Sequence, residues 1–236
     1  MNTVSGRKYW ILGLVLSGAC ATPATAATVT YADNRAGFIA ATGAVSIGAL
    51  PSSGASGTKV GDVTFTNGVV PGVSTAINFF NSSNEIPGND LGASGVENFN
   101  MAISGGAYAI GFYVHEPAYF GINSGTTGTW GCNATCYDTT FSIELFAGAT
   151  SLGKFNYNAP NDPTVDVGGP LGFFGVYSSM PFDSVRVRDV TNTNDNELFG
   201  SFLMSKSPAV VPLPATGWLL LSGLTALGVG TRRRRC

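Results

Sequence analysis

Asp189, Asn192, Asn194, Asp195 and Glu197 fall within the nine-residue stretch D-V-T-N-T-N-D-N-E. Carboxylate and amide oxygens are the donors a hard cation such as Ca²⁺ takes. The spacing is not that of an EF-hand loop, which needs Gly at the sixth position and Glu at the twelfth. Asn and Asp also dominate ordinary turns, so a plain hairpin loop between Val187 and Leu198 is the competing account. No cofactor is expected beyond this structural calcium.

Cys132 and Cys136 lie in a polar loop running from Gly121 to Thr140. In an exported domain the first reading of two close thiols is a disulfide. So small a ring constrains the unfolded chain weakly and would serve to pin the loop. Zinc is the rival, but the chain has a single His and no second close Cys pair. The same loop carries Trp130 and Tyr137. Aromatic rings on a pinned loop suit stacking on sugar rings; the competing role for Trp130 is to cap one end of the core.

Catalytic chemistry is harder to find. His115-Glu116 follows an alternating apolar segment, and Glu97, Glu116 and Glu144 are the carboxylates available for acid–base work on a glycoside. The chain contains no G-x-S-x-G and no H-E-x-x-H. The expected function is therefore non-enzymatic.

These residues must be positioned by strands. Only 11% of the 236 residues are charged, 32 are Gly and 15 are Phe. Few charges with many glycines and aromatics predict an all-β chain with numerous turns. Phe99, Met101 and Ile103 alternate, as do Tyr108, Ile110, Phe112 and Val114, so Gly105-Gly106 between them predicts a hairpin. Phe141, Ile143 and Leu145 alternate, and Phe155 to Tyr157 reads as strand. A Phe-rich run spans Phe173 to Tyr177, with Met180-Pro181 interrupting it. Val185 and Val187 alternate with Arg186 and Arg188, which puts both arginines on one solvent face. Asn34 to Ala41 reads as a short helical turn. Ten or more short strands predict an antiparallel β-sandwich, jelly-roll-like, over residues 27–207.

Both ends have a different composition. Arg7-Lys8, an apolar run from Tyr9 and Ala24-Thr25-Ala26 are the ordered parts of a secretory signal peptide over 1–26. Cys20 keeps a lipoprotein reading open. Residues 208–236 hold Val211-Pro212-Leu213-Pro214-Ala215, an uncharged stretch to Gly230, then Arg232, Arg233, Arg234 and Arg235. Leu213 to Gly230 as a helix spans about 27 Å, enough for one transmembrane pass. The four arginines belong on the cytoplasmic side.

The V-P-L-P-A motif, marginal apolar helix and Arg cluster resemble the PEP-CTERM class of sorting signals in its VPLPA-CTERM variant. The resemblance covers 211–236. It implies an exosortase as partner beside the export machinery, a membrane-held intermediate, and delivery to the cell surface or extracellular matrix, with a biofilm role. Leu213-Pro214-Ala215-Thr216-Gly217 also fits L-P-x-T-G, the sortase signal, although here the helix follows at once. The segment between the ends carries six basic and fourteen acidic residues, so its overall charge gives no footprint for nucleic acid. The functional expectation is a sorted surface protein. A carbohydrate-binding module that takes polysaccharide is the alternative, and a glycan-active enzyme the second alternative.

Changing Pro212 and Pro214 to Ala is expected to leave export intact and block tail removal. Intact-mass measurement of the cell-borne protein checks this. A wild-type product still ending at Cys236 would show a plain anchor, and cleavage after Thr216 would show the sortase signal.

Overall fold

The computed structural model describes residues 26–69, 75–80, 86–115, 140–159, 171–190 and 197–209. Two long strands organise the described chain: β7 (Phe99–His115) and β10 (Gly172–Asp189). They pair antiparallel with each other, and each changes direction once. Residues 109–114 of β7 pair with 172–177 of β10, and 99–102 pair with 184–187. The register slips between Tyr177 and Phe182 and again between Phe182 and Ser184. Gly105 and Gly106, with φ of 77° and 73°, make the bend in β7, a conformation glycine adopts at little cost. Pro181 sits at the bend in β10, where a missing ladder donor does least harm.

The bend makes a corner, as where strands pass from one sheet layer to another. The hairpin expected at Gly105-Gly106 does not form: Ile103 pairs with Val63 rather than folding back on the residues after the glycines. Met180-Pro181 likewise bends β10 without ending it. Alternation on both sides of a Gly-Gly pair is common to a hairpin and a corner, and only long-range pairing distinguishes them.

Around this frame lie β1 (Thr28–Ala32), α1 (Arg35–Thr42), β2 (Val45–Ser46), β3 (Lys59–Val60) and β4 (Val63–Asn67). Later elements are β5 (Thr75–Phe80), β6 (Asp90–Gly95), β8 (Thr140–Ala147), β9 (Thr150–Asn158) and β11 (Leu198–Ser205). All pairings among the described strands are antiparallel, so the described part of the chain is all-β with one short helix. On one side of the corner the order is β5-β6-β11-β7-β10-β1; on the other it is β3-β4-β7-β10-β8-β9. We call these the first and second half-sheets.

Their inner faces meet through phenylalanines. Phe99 and Phe141 of the second half-sheet meet Phe199 of the first at ring separations of 4.9 and 5.1 Å, and Phe65 meets Phe202 at 5.0 Å. All five are almost fully buried. Each removes a large apolar surface from water, a gain of about 1.5–3 kcal/mol, and edge-on pairs add to it.

The outer faces differ. Helix α1 covers the first half-sheet. Asn34 caps its start by accepting from the Gly37 N–H at 2.9 Å, and Gly43 ends it in the left-handed conformation. Its Phe38, 0% exposed, lies over Gly111 and Gly175, which face each other across β7 and β10. A Cβ on Gly175 would stand 2.7 Å from the Phe38 ring, and one on Gly111 2.9 Å from it. The second half-sheet carries no described element on its outer face.

Among the described residues no helix is long and apolar enough to cross a membrane. The expected transmembrane segment, the signal peptide up to residue 25 and the tail from residue 210 lie outside the described residues.

Gly175→Ala is expected to destabilise the protein by about 1–3 kcal/mol through overpacking against Phe38, read as a lower urea midpoint. An unchanged midpoint would show that Phe38 can swing clear.

Candidate functional site

The end of the molecule opposite the corner gathers the groups capable of chemistry. There β7 finishes at His115, β10 at Asp189 and β9 at Asn158, while β8 and β11 begin. The described residues flanking segments 116–139, 160–170 and 191–196 all belong to this end. Several polar side chains are buried in it: Glu97 and Asn98 at 0% exposure, Glu197 at 1%, His115 at 4% and Asp189 at 7%. Burying such groups is costly unless they are partnered, so this end is specified by polar contacts as well as by packing.

Asn98 is one organiser. Its Oδ1 accepts from the Asp189 N–H at 3.1 Å, its carbonyl accepts from the Gly68 N–H at 2.8 Å, and its own N–H reaches the Val96 carbonyl at 2.7 Å. It thus holds the crossing from β6 to β7 against the end of β10. A second organiser is Asp33, after β1. Its carboxylate oxygen accepts from the Tyr157 hydroxyl at 2.6 Å and the Phe173 N–H at 3.0 Å, while its own N–H donates to the Phe173 carbonyl at 2.8 Å. Asp33 has a φ of 53°, a left-handed conformation Asp tolerates better than most residues. This clamp ties β9 of the second half-sheet to β1 and β10 of the first. Burial first, then the bond to Asp33 and its negative charge, hold the Tyr157 phenol well above the ordinary tyrosine range.

Of the five oxygen donors proposed for calcium, two are described. Asp189 ends β10 in the second half-sheet, and Glu197 precedes β11 in the first. Asn192, Asn194 and Asp195 lie outside the described residues. The alternative account, a hairpin loop, is corrected: β10 pairs with β1, β7 and β8, and β11 with β2, β6 and β7. The connection between them passes from one half-sheet to the other. No group of three His, Cys, Asp or Glu suited to a metal occurs among the described residues.

Trp130, Cys132, Cys136, Tyr137 and Glu116 lie outside the described residues, as do Val211, Pro212, Leu213, Pro214, Ala215 and Arg232 to Arg235. Arg186 and Arg188 project from the same outer face, as their alternation predicted. Sequence reasoning missed the burial of Glu97, Asn98 and His115. Each stands at or just outside a strand end, where a polar residue reads as solvated unless the opposite layer is known to cover it.

No family model matches the chain, and no curated protein matches it. Among solved structures, the enzymatically active domain of bacteriophage CBA120 tailspike protein 4 superposes with a TM-score of 0.33 at 13% identity, over 67% of this chain and 21% of that one. A mutant of CBM29-2, a family 29 carbohydrate-binding module, gives 0.29 at 10% identity, over 80% of this chain and all of its own. Likenesses this slight decide neither fold nor function.

Tyr157→Phe removes a charge-assisted hydrogen bond and is expected to cost about 1.5–3 kcal/mol. The raised phenol pKa sets the pH dependence. The clamp's contribution is fully present below the ordinary tyrosine value of about 10 and is lost as pH rises through the folded value. Ultraviolet titration should show one tyrosine fewer ionising only with alkaline unfolding in Tyr157→Phe than in wild type. Equal titrations would remove the clamp.

Proposed function

We propose that this chain is an exported β-sandwich of jelly-roll type that its C-terminal signal carries to the cell surface, where it binds carbohydrate without catalysing a reaction. The single observation behind the binding role is the polarity of the fold. Thr28 of β1 pairs with Ser178, and Ser205 of β11 pairs with Ala109, so both outer ends of the described chain leave from the corner. The strand ends that bracket 116–139, 160–170 and 191–196 lie at the opposite end. A chain tethered through its C-terminal tail then holds these strand ends away from the attachment. The rigid strands beneath them suit recognition by loops on a fixed scaffold.

In this reading Trp130 and Tyr137 supply stacking surfaces, and a Cys132–Cys136 disulfide pins the segment between them. An exosortase and the export machinery act on the ends of the chain and take no part in binding. Calcium held by Asp189, Asn192, Asn194, Asp195 and Glu197 would brace a neighbouring connection at the same end.

Binding of the full-length chain, in detergent, to polysaccharide from the producing cells tests this. Trp130→Ala is expected to weaken binding by about tenfold or more, as loss of a central aromatic contact does. Equal affinity would remove the loop as the site, and a large fall in melting temperature would return Trp130 to the core.

A further inference from the structure

The outer face of the second half-sheet has a charge that sets it apart. Registers across β3, β4, β7, β10, β8 and β9 place alternate residues of each strand on this face. Lys59, Lys154, Arg186 and Arg188 all project from it, with Glu144 in register between Arg186 and Lys154, Asp183 at the corner edge accepting from the Gly148 N–H, and Asp62 near Lys59. The segment 27–207 has six basic and fourteen acidic residues. All six cations are among the described residues, and four of them are on this face. Lys59, Lys154 and Arg186 are exposed and Arg188 is half-buried. No described helix or strand lies over them, whereas α1 closes the outer face of the first half-sheet.

The two arginines are held in place. Arg186 stacks on the Phe146 ring with its guanidinium carbon 4.0 Å from the centroid, which fixes the plane of the fork. Arg188 donates to the Phe99 carbonyl at 2.8 Å, the Val187 carbonyl at 2.7 Å and Asn100 Oδ1 at 2.6 Å. That uses three of its five N–H groups. Asn100 in turn donates to the Asn67 carbonyl at 2.9 Å. Burial first, then the charge of Arg186 beside it, lowers the Arg188 guanidinium from its ordinary value, against the opposite pull of Glu144. The two guanidiniums thus stand on one face, with Glu144 opposite Arg186. Side chains already fixed lose little entropy when a ligand arrives.

We propose that this face binds an anionic polysaccharide, with Arg186, Arg188 and Lys154 pairing with its carboxylate or sulfate groups. The proposal takes its ligand class from the carbohydrate reading above and its site from different residues. Spacing favours such a polymer over nucleic acid. Arg186, Glu144 and Lys154 are in register on adjacent strands, so Arg186 and Lys154 stand about 10 Å apart, with Arg188 about 7 Å along β10. Duplex DNA carries a charge every ~1.7 Å, far denser than this array. A polymer with one charge per sugar or fewer matches it better. Both the pull of this face and the repulsion of acidic surface elsewhere are largely screened beyond the Debye length of about 8 Å, so binding depends on direct contact with this face.

The full-length chain in detergent, titrated with polygalacturonate and with neutral dextran, tests the proposal. Wild type is expected to bind polygalacturonate, more weakly as salt rises from about 50 to 200 mM, and dextran at least tenfold less. Arg186→Gln with Lys154→Gln is expected to lose about tenfold or more, with an unchanged melting temperature. Glu144→Gln is expected to gain severalfold, a result that misfolding does not produce. Absence of polygalacturonate binding, equal binding by the double variant, equal binding of dextran, or tighter binding of duplex DNA would each overturn it. Loss in Trp130→Ala with none in the double variant would keep the loop reading and overturn this one. Loss in the double variant alone would do the reverse.

Discussion

The antiparallel pairing of β7 with β10, kept up on both sides of a corner, is the constraint on which the remaining structure depends. Neither strand could change layers alone without stranding its hydrogen-bonding groups. Because both bend together, the ladder resumes beyond the register slips, with Tyr177 opposite Ala109 before the corner and Ser184 opposite Ala102 beyond it. Every other described β-strand attaches, directly or through one or two neighbours, to one arm of this pair. The arms fold back on themselves, so Phe99 near one end of β7 and Phe112 near the other both reach Phe199.

That corner also gives the molecule its direction. It brings the outer ends of the described chain to one end and the buried Glu97, Asn98, His115, Asp189 and Glu197 to the other. Two polar clamps close the far end. Asn98 fastens the β6–β7 crossing to β10, and Asp33 joins Tyr157 of β9 to the start of β10. At the corner end Lys206 donates to the Ser104 carbonyl at 3.0 Å and pairs with Asp62 at 2.6 Å. Both partners of that ion pair are about half exposed, so it marks where β11 leaves the sheet and adds little stability.

The glycine pair under Phe38 explains why the outer faces of the half-sheets differ. Gly111 and Gly175 leave a hollow that the rings of Phe38 and Phe173 fill, so α1 can lie close on the first half-sheet and bury both of its faces. The second half-sheet has no such hollow. Apart from Phe146 and Ala102 its outer residues are mostly polar or charged, some bonded across strands, as Ser151 is to Glu144 and Arg188 to Asn100. A sheet covered on one side only leaves a firm, open surface.

The sequence by itself determined the class of fold, most strand positions and the helix. Period-two alternation and Asn34–Gly43 punctuation are local signals, and local geometry obeys them. It also recorded which face would stay uncovered. Val185-Arg186-Val187-Arg188 alternates because one side meets water, while Gly172 to Tyr177 reads as unbroken apolar because both sides are covered. Only the tertiary structure decided that Gly105-Gly106 is a corner, since a turn and a bend share one local pattern and differ in distant partners. Only it buried Glu97, Asn98 and His115, because burial at a strand end is set by the opposite layer. And only it gathered Lys59, Lys154, Arg186 and Arg188 on one face, because cross-strand register, absent from any single strand, decides which residues are neighbours.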